Sequence, residues 1–150
     1  MAETYTNEGL DFILGVFPLD DTAKPTNLYL GLFTSQTSST VPATTATGGA
    51  VPSGWTEATG TGYARQTIAN TAWGAAAASG GVGRQTTGPQ VTFTVGAGGW
   101  GTVNGFFIAT QSASGASDKI ILFANFDDLT AIATAVNDVI KITPTLITTY

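Results

Sequence analysis

At 150 residues the chain is long enough for one ordinary domain with its own core and too short for two. It holds no cysteine and no histidine, which excludes disulfides, thiolate chemistry, most zinc ligands and the commonest general base; with five basic residues and a net charge of −5, nothing in it could neutralise a run of phosphates, so no nucleic-acid partner is expected. Charged residues are only 10% of the sequence, so the surface must be built from Thr, Ser, Gly, Asn and Ala, a composition poorly protected against association and suited to life against partners.

Thr6 and Asn7 can cap a short helix, Glu8 sits near its positive end, and Leu10, Ile13, Leu14 and Phe17 recur at helical spacing before Gly15 and Pro18 end it. So short a helix does not persist alone in water, which makes its apolar stripe a candidate interface with the sheet or with a neighbouring copy. The apolar run 12–17 follows Glu3, Glu8 and Asp11 without a basic residue. It therefore lacks the positive flank of a secretory signal and is too short to span a bilayer. A chain made in the cytoplasm, with no membrane partner, is the expectation.

Residues 20–26, with Pro25, form a turn into a first strand at 27–33, where Leu28, Leu30 and Leu32 alternate with Tyr29, Gly31 and Phe33. A long stretch, 34–62, follows; Glu57 is its one ionised side chain and Trp55 its anchor. Loops of this length in compact domains are usually disordered or committed to a partner, and the near absence of charge argues for an ordered arm lying on another surface. Residues 63–68 read as a strand enclosing Arg65 and Gln66, with 70–73 continuing it after a kink. Residues 75–79 look helical by composition, but Gly74, Gly80 and Gly81 crowd them.

Residues 90–95 alternate cleanly, with Val91, Phe93 and Val95 inward and Thr92 and Thr94 outward. The glycine-rich segment 96–101 turns the chain into a hairpin whose strands, 102–110 and 119–125, flank a loop at 111–118. Val103, Gly105, Phe107 and Ala109 are expected on one face of the first strand, Asn104, Phe106 and Ile108 on the other. The run 120–124 is apolar throughout, as in a strand buried on both faces, in a sandwich core or against a neighbouring subunit, and the two strands read as the central pair of an antiparallel sheet. After a mixed Ala/Thr segment at 129–135, two short strands, 139–143 and 146–150, are broken by Pro144. Strands recurring without alternating helices indicate a mainly β fold: a single antiparallel β-sandwich or small barrel over 27–150, with a short N-terminal α-helix within 1–18 and the arm-like loop 34–62.

Little in this order points to catalysis. The pairs Asp20 with Asp21 and Asp127 with Asp128 are neighbours, and neighbours on a strand face opposite ways; in turns such residues cap the backbone or face water. Asp118, Asp127, Asp128 and Asp138 are loop oxygen donors without the alternating spacing of a calcium loop. The glycines at 80–83 and 96–101 lack the ending of a phosphate loop. Trp55, Tyr63, Trp73 and Trp100 admit two readings, a platform that stacks on sugars or core and interface packing. No catalytic residue, cofactor or metal is expected.

The segments LYLGLFT (28–34), GYARQ (62–66), VTF (91–93), WGTVNGFFI (100–108) and ILFANF (121–126) occur in an order and spacing that resembles a family of small virion structural proteins of tailed bacteriophages. In that family a short N-terminal helix precedes an LYVALFT-like strand, a GYARQ-like strand and a WGTV-like strand. The resemblance covers most of the chain from Glu8 onward, although the stretch 34–62 exceeds the equivalent segment of typical members. Members are labelled capsid decoration (cement), tail-fibre or simply structural proteins. The resemblance thus implies a non-enzymatic virion component: in the first place a decoration protein on the outer surface of the head, homo-oligomeric with a trimer favoured, clamping the major capsid protein. In the second place it implies a tail fibre, collar or baseplate part that binds a host glycan.

Overall fold

The computed structural model describes residues 3–5, 9, 25–36, 55–79, 83–115, 118–126 and 132–149. They form a mainly β structure of several antiparallel sheets. The largest has six strands. Its centre is β9 (Gly105–Ala109), flanked by β10 (Ile120–Asn125) and β2 (Asn27–Gln36), and β1 (Glu3–Tyr5) adds to the far side of β10. The free side of β2 is shared: β4 (Gln66–Ala69) pairs with its first half and β3 (Trp55–Glu57) with its end. Three smaller sheets join β7 (Val91–Thr94) to β12 (Val139–Ile142), β8 (Thr102–Val103) to β11 (Ile132–Ala133), and β6 (Gly83–Thr87) to both β5 (Ala77–Ser79) and β13 (Thr145–Thr149).

Strand alternation dictates where the core lies. On one face of the large sheet Leu30, Leu32, Ile68, Phe106, Ile108 and Leu122 meet Val91, Phe93, Val95, Ile140 and Ile142 in one buried cluster. On the other, Phe33, Phe107, Ala109, Ile120 and Phe123 form a second cluster. Residues Ile120 to Ala124 are buried without interruption, which is why the sequence there is apolar on both faces. Each of these large side chains contributes about 1.5–3 kcal/mol by leaving water.

Two glycines make room for the second cluster. In the pairing of β2 with β9, Phe33 lies opposite Gly105 and Phe107 opposite Gly31. A Cβ on Gly31 would overlap the Phe107 ring, and one on Gly105 the Phe33 ring. Each phenylalanine ring therefore occupies the space that a side chain on the facing glycine would need.

The structure corrects several expectations. Asn104 interrupts the strand expected over 102–110: its N–H donates to the Phe33 carbonyl, its carbonyl accepts from Phe126 N–H, and its side-chain amide donates to the Thr34 carbonyl at 2.8 Å. This break resets the alternation, so Val103 packs with Phe106 and Ile108 rather than with Phe107 and Ala109. The strand expected at 63–68 starts only at Gln66, because Tyr63 and Arg65 are drawn into side-chain bonds described below. Residues 70–73 do not continue it: Asn70–Ala72 is a 3-10 turn, tied by Asn70 to the carbonyls of Thr26 and Pro25. The alanines at 77 and 78 are strand rather than helix, paired to β6.

Within the stretch 34–62, residues 34–36 extend β2 and Trp55–Glu57 form β3 against the chain's own sheet. Residues 37–54 lie outside the described residues, as do Leu10, Ile13, Leu14 and Phe17 of the expected N-terminal helix and Asp20, Asp21, Asp127 and Asp128. What is described before Pro25 is the unexpected strand β1 and Gly9, which is buried against the backbone of Ile121. No helix among the described residues is long and apolar enough to cross a membrane.

Candidate functional site

Among the described residues the buried polar side chains are Arg65, Thr110 and Asp118, and all of them lie in one place. The chain reaches it from β3 by a tight bend. Gly60 and Gly62 take positive φ there, of 133° and 80°, and Tyr63 N–H closes the bend on the Gly60 carbonyl at 3.1 Å. The bend sends Tyr63 and Arg65, two residues apart, back toward β2 and the hairpin loop.

Arg65 is the centre of the cluster. Its Nε donates to Glu57 Oε1 at 2.8 Å and Nη2 to Glu57 Oε2 at 2.9 Å, a two-pronged grip on one carboxylate. Nη1 donates to Asp118 Oδ2 at 2.6 Å and to the Gln111 carbonyl at 3.0 Å. The guanidinium carbon lies 4.9 Å from the centre of the Phe107 ring, within cation–π range. The Arg65 side chain is 1% exposed and that of Asp118 is fully buried, whereas Glu57 keeps 20% of its side chain open.

Each buried charge is satisfied, as a low-dielectric interior requires. Asp118 Oδ1 accepts from Gln111 N–H at 3.0 Å and from the Thr110 hydroxyl at 3.3 Å, and Thr110 Oγ1 in turn accepts from Lys119 N–H at 2.9 Å. Tyr63 closes the other end: its hydroxyl accepts from Leu32 N–H at 2.9 Å and donates to Glu57 Oε1 at 3.1 Å. Burial pushes the Tyr63 phenol well above its ordinary range, and the adjacent Glu57 carboxylate adds to the effect. Burial alone would lower Arg65, but hydrogen bonds to Glu57 and Asp118 outweigh it and hold the guanidinium charged.

Chemically this is a clamp. Arg65 joins β3, the hairpin loop and the second face of the large sheet, and its donors are aimed at the chain's own acceptors rather than at an anion from outside. Over it lies an open groove of about 520 Å³, walled by Glu57, Ala58, Thr59, Tyr63, Ala64 and the loop Ser112, Ala113 and Ser114. Arg65 forms its floor.

Two of the four aromatic candidates come together, but inside. Trp100 is 4% exposed, donates through Nε1 to the Thr61 carbonyl at 3.0 Å and meets Tyr63 edge-on at 5.4 Å. Tyr63 stacks on Phe93 at 6.4 Å. Their ring faces pack the core instead of forming a sugar platform. Trp73 is half-buried elsewhere, beside Gly88 and packed on the main cluster, and the side chain of Trp55 lies outside the described residues. Of the loop oxygen donors noted in the sequence, Asp118 is neutralised by Arg65, and Asp138 caps a turn by accepting from Ala135 N–H at 2.7 Å. Among the described residues no three acidic side chains converge as a metal site would need.

The clamp itself was not anticipated from sequence. A signal existed: a charged residue inside a strand-like run must be paired if it is buried, and in a chain this poor in charge few partners are available. Arg65 and Asp118 are 53 residues apart, however, and only the fold reveals their meeting. No protein-family model matches the chain, and no curated protein matches it.

Proposed function

We propose that this chain is a non-enzymatic structural protein of a tailed-phage particle: a capsid decoration protein, homo-oligomeric with a trimer favoured, that binds the major capsid protein lattice on the outside of the head and stabilises it. The observation that carries the reading is the inward placement of charge. Arg65 and Asp118 are buried and Glu57 is largely covered, in a chain whose net complement of charged residues is only 10%. What faces outward includes Thr56, Thr59, Thr67, Thr87, Thr92, Thr94 and the alanines at 75–78. Small uncharged side chains of this kind suit close, flat contact at low desolvation cost.

Three features support the reading further. The succession of segments resembles that of virion structural proteins, and GYARQ, one of those segments, is the stretch that supplies Tyr63 and Arg65 to the clamp. We read the sheets as a sandwich, the large sheet facing β7 and β12 across the main cluster, which makes a stiff block suited to bracing a lattice. The third feature is that, among the described residues, the buried polar groups at this site are bonded to one another and to Glu57, to which Tyr63 also donates.

The test is attachment. Purified chain added to heads that lack it is expected to co-sediment to saturation, with one density per lattice site in images of the particle and a weak dependence on salt. Failure to bind heads, or density confined to the tail, would replace this reading with the tail-component one.

A further inference from the structure

We propose that the groove over Glu57 is a binding site for a single basic side chain, lysine or arginine, carried by a partner polypeptide. Charge complementarity is the first argument. The groove walls carry two charged groups, and one of them, Arg65, is 1% exposed, so the charge that reaches the groove is the Glu57 carboxylate. Two carboxylates, Glu57 and Asp118, share one guanidinium, which leaves the cluster with one net negative charge. Glu57 Oε1 is saturated by Arg65 and Tyr63, whereas among the described residues Oε2 accepts from Arg65 Nη2 alone and retains a lone pair.

Shape supplies the second argument. The remaining walls are Ala58, Ala64, Ala113 and the side of Tyr63, with hydroxyls of Thr59, Ser112 and Ser114 at the sides. Lysine and arginine combine an apolar stem with a charged tip, and an apolar-walled groove ending in a carboxylate matches both parts. An acidic side chain would meet only the like charge of Glu57. The volume, about 520 Å³, accommodates one long side chain with its flanking backbone.

The inference does not depend on the proposed role in a particle, since it concerns the isolated chain. The experiment is an amide-shift titration of the purified protein with the capped peptide Ala-Arg-Ala, with Ala-Gln-Ala as the neutral control. Saturable shifts are expected at Thr59, Ala64 and 112–114, with the neutral peptide about fivefold weaker, the difference one partly exposed ion pair makes. Glu57→Gln should reduce the arginine peptide to the level of the neutral one. Because that change also touches the clamp, Ala113→Trp is the companion variant: it fills the groove from the exposed loop, leaves Glu57 and Arg65 in place, and should abolish binding. Absence of saturable shifts, equal binding of the two peptides, or unchanged binding by Ala113→Trp would each overturn the site.

Discussion

Arg65 lies between two carboxylates with its side chain 1% exposed, and the cost of removing it is set by what it leaves behind. Arg65→Ala strands Asp118 in a fully buried position, and the expected loss is about 3–5 kcal/mol in urea unfolding. Replacing all three charges, Arg65→Met with Asp118→Leu and Glu57→Gln, should recover much of that loss, since the penalty comes from the uncompensated charge rather than from the missing attraction. Tyr63 carries the second prediction at this scale. Its phenol is raised above the ordinary value, so the folded state holds the proton more tightly than the unfolded one. That difference stabilises fully below the ordinary tyrosine value, near 10, and is lost as pH climbs above it. Stability is therefore expected to fall from about pH 10 upward. The Tyr63→Phe variant should show a shallower fall when thermal melts are compared across that range.

The elements add a constraint that single residues do not show. β2 and β9 fit because each presents a glycine to the other's phenylalanine, Gly31 under Phe107 and Gly105 under Phe33. Gly31→Ala is expected to destabilise by about 1–3 kcal/mol, as overpacking of a filled core does, and to be partly rescued by Phe107→Leu; a melting series of the two single variants and the double checks it. Much of this sheet was legible in the sequence. The alternation at 27–33 and 90–95, the apolar run at 120–124 and the turn signals between them are local and strong, and β2, β7 and β10 follow them. β3, β5 and β11 were not legible, since strands of two or three residues carry no period of their own: β3 and β5 add to longer partners, β2 and β6, and β11 pairs with the equally short β8. Asn104 shows the same limit from the other side. Its bonds to Phe33, Thr34 and Phe126 break a run that reads as continuous, and that one break moved Val103 to the opposite cluster. The clamp was hidden for a related reason, since Glu57, Arg65 and Asp118 come from segments with no common pattern.

For the whole molecule, the proposed role is a matter of mass action. A protein that binds the closed lattice but not its loosened form shifts the lattice toward the closed state, and the shift grows with occupancy. A surface with few ionised groups implies attachment through apolar and backbone contacts, so occupancy is expected to change little between low and high salt. A clamped, stiff fold suits this work because a brace transmits load only if it does not itself yield; Arg65→Ala should therefore weaken the brace as well as the chain. The most direct measurement is the temperature at which heads release their DNA, with and without this protein. Heads lacking it are expected to form, to release DNA at a lower temperature than complete heads, and to regain the difference in proportion to purified chain added back. Identical release temperatures for complete and depleted heads would contradict the decoration role.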